Sequence, residues 1–332
     1  MDQKPGYLTI FPIFFIPRLF MMASSKQCEV KLLKSGRALT NHIFKTVAVR
    51  TPLDCHFQCQ NDIKCKSYNF MITGDICELN NSTKEARPHY FLSDDTRLYM
   101  GIRPAEASCR DIFNEGRGKG NGAYLLQMPS GNISVYCHMT SHGLAACGGG
   151  GWTLVMKIDG KKSTFHYDSE YWSNNKGLNL TEGETMFDNQ ETKLPTYWST
   201  SFSKICLGVK TGGNTNFVVI SKEASSLHAL IADGKYRSTS LGQEKWKSLI
   251  NPSGSLQPHC NKEGFNARCN KRDDGQAFSK ARIGVLGNED SCSSCDSRIG
   301  FGTAGIPDDL NTCGNEVLYG KHVKAICYIL VQ

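Results

Sequence analysis

Apolar and polar side chains alternate from Ile133 to Met139 (Ile-Ser-Val-Tyr-Cys-His-Met), the two-residue period of a strand with one buried face. Four glycines, Gly148–Gly151, precede Trp152-Thr153-Leu154-Val155-Met156, which predicts a buried strand entered through backbone conformations denied to other residues. Nearer the start of the chain, Thr51-Pro52-Leu53-Asp54 predicts a helix. Thr51 caps it, Pro52 fits the first helical position, and Asp54 suits the positive end of the dipole. Cys55 and Cys59 on that helix stand four apart and share a face. Two strand-like runs follow, Cys65–Ile72 and Asp75–Leu79, with a turn at Thr73-Gly74 and one cysteine in each, Cys65 and Cys77. A helix stapled to a neighbouring hairpin by two bridges is a small, loop-rich fold in which disulfides compensate for a thin core.

The chain has 332 residues, which fits about two domains, and fifteen cysteines, about one in 22, which indicate an oxidising compartment. An export signal agrees with the cysteines. Lys4 precedes an uncharged run from Pro5 to Pro17 containing Ile10, Phe11, Ile13, Phe14, Phe15 and Ile16, and Ala23 and Ser25 supply small side chains for cleavage. Residues 1–25 are therefore read as a signal peptide, 26–103 as a first domain, 104–108 as a linker and 109–332 as a second domain. No apolar run is long enough for a membrane span. In an exported chain the sequons at Asn80, Asn81, Asn132 and Asn179 become glycan sites, with one of the adjoining Asn80 and Asn81 occupied. The net charge of +7 is spread along the chain: three basic against one acidic in 1–27, eleven against eight in 28–103, and 24 against 22 in 104–332. The clusters Lys161-Lys162 and Lys271-Arg272 are only dipeptides, so nothing tracks phosphates and nucleic acid is not an expected partner.

The spacing Cys55, Cys59, Cys65, Cys77 around Cys65-Lys66-Ser67-Tyr68-Asn69-Phe70 resembles the PAN/apple module over about 75 residues. The resemblance implies the bridges Cys55–Cys77 and Cys59–Cys65, a helix on an antiparallel sheet, and protein or carbohydrate binding without catalysis. An outer bridge is also expected of that family. Cys28 sits at its start, with no matching cysteine near residues 95–103, which leaves Cys28 free, paired with the next domain, or linking two chains.

In the second domain, Ser108-Cys109-Arg110-Asp111-Ile112-Phe113, the Gly122-Ala123-Tyr124 turn, Tyr136-Cys137-His138-Met139 and Gly149-Gly150-Gly151-Trp152-Thr153 stand in an order that resembles the fibrinogen C-terminal domain of ficolins and, more distantly, intelectins. That resemblance implies a Cys109–Cys137 bridge and a mixed sheet with long loops; Tyr171-Trp172 and a closing strand His322–Leu330 are consistent with it. The expected fold class for the whole chain is α+β. The family's Asp-x-Asp calcium loop and Gly-Gly-Trp-Trp segment are missing. In their place stand Asn288 to Arg298, Gly300-Phe301-Gly302 and Asp308-Asp309-Leu310-Asn311.

Oxygen ligands for a calcium loop are expected from Asn288, Glu289, Asp290, Asp296, Asp308 and Asp309, against the simpler reading of a solvated loop. Cys292-Ser293-Ser294-Cys295 supplies half of a zinc site, but His259-Cys260 and Cys269 complete it only by count, at no standard spacing. Disulfides of Cys292 and Cys295 to Cys313 or to one another are expected instead, with Cys260 and Cys269 closing a loop around Gly264; spacing leaves Cys147, Cys206 and Cys327 open. No Gly-x-Ser-x-Gly elbow, His-Glu-x-x-His helix or phosphate-cradling loop occurs. The resulting expectation is a secreted, non-enzymatic binding or adhesion protein of the extracellular matrix, with proteins or glycans as partners and an odd cysteine that allows a disulfide-linked oligomer. Short chains of this architecture resemble matrix proteins of corals, including the organic matrix of coral skeletons, which raises a biomineral role. The alternative is a soluble, calcium-dependent lectin for glycans or acetylated ligands.

Overall fold

The structure is a computed structural model that describes residues 33–62, 64–101, 106–252, 254–269 and 278–332. The proposed export signal, Cys28 and Lys271-Arg272 lie outside the described residues. The fold is α+β and mostly sheet, and the chain divides into two compact units, Met1–Pro104 and Ala105–Gln332.

The first unit contains β1 (Leu33–Leu39), β2 (Ile43–Ala48), α1 (Pro52–Gln60), β3 (Ser67–Met71), β4 (Ile76–Asn80) and β5 (Phe91–Gly101), in one antiparallel sheet of order β1-β5-β3-β4-β2. The cap forms in full: the Thr51 hydroxyl accepts from the Asp54 amide, and the Asp54 carboxylate accepts from the Thr51 amide. Only Cys55 and Cys59 of α1 are buried, while Leu53 and Phe57 are exposed. The helix meets the sheet through its sulfurs, Cys55 bonded to Cys77 of β4 and Cys59 to Cys65, and through Tyr68 of β3, whose hydroxyl donates to the Pro52 carbonyl. The small core around them is Val49, Tyr68, Phe70 and Leu79.

The second unit opens with α2 (Cys109–Asn114), β6 (Gly122–Met128), β7 (Gly131–His138), β8 (Trp152–Asp159), β9 (Thr192–Lys193), α3 (Thr196–Ser199), β10 (Phe202–Thr211) and β11 (Asn214–Ala224). It continues through α4 (Leu227–Ile231), β12 (Arg237–Ser238), α5 (Gln243–Ser248), β13 (His259–Arg268), β14 (Lys280–Asn288), β15 (Ser297–Ala304), β16 (Cys313–Val317), β17 (His322–Lys324) and β18 (Ile326–Val331). One sheet runs β11-β10-β18-β8-β7-β6, with β9 beside β8; the other runs β12-β13-β14-β15-β16-β17. Val155 and Ile158 of β8 and Leu207 of β10 belong to the same core as Phe265, Ile283, Ile299 and Phe301 of the second sheet, with Trp172 and Trp246.

Two local expectations change on folding. The alternation read at Ile133–Met139 is lost from Val135 onward, where every residue is buried. The 142–151 loop closes over that strand: His138 Nε2 is 2.7 Å from the His142 carbonyl, and a Cβ on Gly150 would stand 2.2 Å from the Met139 carbonyl oxygen. It is β6 that alternates, with Leu125 exposed and Leu126 buried. The single closing strand is also two strands. The chain leaves the second sheet after Lys324, and Ala325, held by Cys313 O and Gly160 N, passes it to the first sheet. The Cys313–Cys327 bridge links β16 to β18 at that crossing, and Cys147 bonds to Cys206.

The second sheet folds on itself along a row of glycines. Gly264 pairs with Gly284, Gly284 with Gly300 and Gly300 with Gly314, across four neighbouring strands. A Cβ on Gly284 would lie 2.9 Å from the Ala281 Cβ, an approach that a flat strand never allows over three residues. The ends of β13 consequently face each other. Nine extended residues at about 3.3 Å each would hold Cys260 and Cys269 roughly 30 Å apart, yet their sulfurs lie within 4.8 Å.

Candidate binding site

Three sulfurs, of Cys260, Cys269 and Cys295, meet at that fold, with Cys292 bonded beside them. The expected loop between Cys260 and Cys269 is not formed, and neither is a bond within Cys292–Cys295 or to Cys313. The bonds are Cys260–Cys292 and Cys269–Cys295; the folded sheet brings the sulfurs of Cys260 and Cys269 together beside the β14–β15 loop, whose two cysteines bond one each. All fourteen described cysteines are bridged, including Cys109–Cys137, which leaves Cys28 without a partner among them.

The six oxygen ligands considered for calcium divide into two groups, and no three described carboxylates converge within 4.8 Å. Asp308 pairs with Lys324 at 2.9 Å, and Asp309 lies 3.3 Å from His166 and accepts from the Gly305 amide. Burial would raise both carboxyls, but these partners bring them below the usual range. Arg298 supplies the cation at this end. Fully buried, it donates to the carbonyls of Gly305 (2.9 Å), Ile306 (2.8 Å) and Asp308. At the other end, Asp290 accepts from Asn288, and Glu289 accepts from Gln257 at 2.6 Å. Asn288 and Asp296 are buried there, just beyond the Gly287–Ser297 pair of the ladder, and the Oδ1 of each has no hydrogen-bond partner. Burial and the Glu289 charge raise the Asp296 carboxyl.

The first unit carries an open groove of about 1060 Å³ lined by His42, Phe44, Lys64, Lys66, Asn81, Ser82, Ala86 and Arg87. The edge strand β2 supplies its wall, tied to the β4 end by the bond from the Asn81 amide to the His42 carbonyl at 3.0 Å. Lys64, Lys66 and Arg87 are exposed, and among the described residues no carboxylate lines the groove. His42 stands edge-on to Tyr90, its Nε2 buried without a partner. The three charges are dispersed along the sequence, and the Lys64-x-Lys66 spacing is the one local signal of them.

The sequons differ in what their amide nitrogens do. Asn80 is fully buried and its Nδ2 donates to Ser67 Oγ at 3.1 Å, inside a buried polar row that continues to the Ser82 carbonyl. Asn81 and Asn132 are exposed, whereas exposed Asn179 commits its Nδ2 to the Glu191 carbonyl at 3.1 Å. A glycan on Asn80 would break the row and could not fit. Asn81 lines the open groove of the first unit, where a glycan would fill the space. Glycopeptide mapping of the protein made in a secreting cell is expected to find sugar on Asn132 and none on Asn80; an occupied Asn80 in folded protein contradicts this.

Two buried lysines resemble activated amines but are built into the framework. Lys157 holds Asp188 at 2.6 Å. Burial lowers the Lys193 ammonium to about 8, where the rings of Tyr171, Tyr197 and Trp198 and the Asn174 carbonyl at 2.7 Å enclose it.

Residues 24–101 match the PAN domain family. The chain is also 30% identical over 111 residues to fibrinogen-like protein 1 of Bos taurus, an alignment covering 27% of this chain and 33% of that protein. The match thus spans about a third of that relative's length. Together these findings agree with a PAN domain followed by a fibrinogen C-terminal-like domain, a binding-module architecture. Among the described residues no helix is long and apolar enough to cross a membrane.

Proposed function

We propose that this chain is a secreted, non-enzymatic adhesion protein of the extracellular matrix that holds anionic polymers, sulfated or carboxylated polysaccharides or acidic proteins, through its PAN module. The observation that carries the reading is the groove with three exposed cations and, among the described residues, no carboxylate. A biomineral matrix, whose polymers are acidic, is one setting that suits it. Exposed charge pairs contribute about 0.2–1 kcal/mol each, so a triple Lys64→Ala, Lys66→Ala, Arg87→Ala variant is expected to bind a sulfated polysaccharide roughly 3- to 150-fold more weakly. Binding by the native protein should also weaken as salt screens the charges. Binding that ignores both salt and the triple substitution would overturn the assignment to this groove.

A second reading, a calcium-dependent lectin, rests on the unpartnered Oδ1 atoms of Asn288 and Asp296 beside Glu289. These three acceptors suit a hard cation, whereas Asp308 and Asp309 are already neutralised by protein groups. Glycan-array hits lost in EDTA, with a lower melting midpoint, would support that site. An unchanged midpoint and no hits would leave the adhesion reading alone.

A further inference from the structure

The two bridges at the fold of the second sheet are not independent. Cys260 Sγ lies 3.4 Å from Cys295 Sγ, sulfur-to-sulfur contact between two different disulfides. The register of β13 shifts between His259 and Lys262, and Cys260 and Asn261 there adopt left-handed φ values of 68° and 48°. Non-glycine residues are held that way only where their surroundings enforce it. Access separates these bridges from most others: Cys260, Cys269 and Cys292 are partly exposed, and Ser291 and Ser293 beside Cys292 are exposed. By contrast, Cys55–Cys77, Cys109–Cys137, Cys147–Cys206 and Cys313–Cys327 are buried at both ends.

We propose that this sulfur cluster is a thiol-capture site, at which an external thiol becomes covalently attached through Cys292. A thiolate attacks Cys292 Sγ, the Cys260–Cys292 bond breaks, and Cys260 leaves with the bonding pair. Cys260 Sγ attacks its neighbour Cys295, the Cys269–Cys295 bond breaks, and Cys269 departs as the thiolate and takes up the proton lost by the incoming thiol. Two disulfides are present before and two after, Cys260–Cys295 and the mixed disulfide at Cys292, with one thiol exchanged for another. No oxidant or reductant is consumed. Exchange proceeds through a thiolate attacking a sulfur it can reach, and the 3.4 Å contact provides that reach inside the protein. The partner is any molecule with an accessible thiol, a cysteine of another matrix chain included, and the site operates whether or not the PAN groove binds anionic polymers.

The test uses the full chain with glutathione as the probe, quenched by acid and N-ethylmaleimide and mapped without reduction. The expected product carries glutathione on Cys292, maleimide on Cys269 and a Cys260–Cys295 cross-link, with the four fully buried bridges unchanged. Glutathione on Cys292 with maleimide on Cys260 and an intact Cys269–Cys295 bridge would overturn the relay. So would no reaction at glutathione levels that already open the buried bridges. A Cys292→Ser chain needs no added thiol and should equilibrate between Cys269–Cys295 and Cys260–Cys295. Finding only Cys269–Cys295 in that chain, with the buried bridges intact, would equally refute the proposal.

Discussion

A Gly264→Ala variant is expected to melt about 6–12 °C below the native protein, a loss of about 3 kcal/mol or more. Gly264 has φ +136°, and a Cβ there would stand 2.0 Å from the Arg237 carbonyl oxygen and 2.9 Å from the Ser238 Cα. Neither neighbour is the free end of a side chain, so backbone would have to move. Movement at this point also disturbs Gly284, Gly300 and Gly314, the rest of the row along which the sheet folds. Gly213 is the control. A Cβ there meets nothing within 4 Å, and Gly213→Ala should stay within about 0.5 kcal/mol. All four tryptophans, Trp152, Trp172, Trp198 and Trp246, belong to the second unit, so intrinsic fluorescence follows its unfolding without interference from the first. Equal midpoints for the two variants would show that the sheet does not depend on the glycine row.

Replacing Arg298 should be comparably severe. Burial lowers its guanidinium to about 10, against the opposing pull of the Glu316, Asp308 and Asp309 carboxylates, so it remains charged at neutral pH. Arg298→Met nearly preserves volume but takes a donor from three carbonyls, of which Ile306 keeps the Ser279 hydroxyl and Asp308 the Asn311 amide, and it leaves the buried Glu316 with His322 beside it but no guanidinium. Breaking a buried, hydrogen-bonded charge in this way costs about 3–5 kcal/mol. Arg298→Lys should recover little, because an ammonium is a point charge and cannot span carbonyls from residues 305, 306 and 308 as a planar fork does. Tryptophan fluorescence against urea measures both variants. A lysine variant as stable as the native protein would mean that charge, rather than the fork, holds the loop.

The same arginine explains why the acidic stretch was hard to read from residues alone. Asp308 and Asp309 look like metal ligands in sequence, where Lys324, His166 and Arg298 are distant; pairing of β15 and β17 with β16 brings Arg298 and Lys324 to them, and the loop after β8 brings His166. Asn288 and Asp296 have no such partners, so the acidic stretch divides by what folds against each part.

What the sequence determined by itself is local. The Thr51–Asp54 cap lies within one helical turn, the buried Trp152 strand within five residues, and the modules follow from cysteine and aromatic spacings inside short segments. These succeed because the energies that fix them act between neighbours along the chain. The tertiary structure alone decided which sulfurs of the 260–295 set bond, which cations line the groove, and where the second sheet folds. Gly264, Gly284, Gly300 and Gly314 follow no fixed spacing, and they become a single feature only in the register of four strands. Register is set by long-range pairing and burial, and with it the contact that places two disulfides 3.4 Å apart.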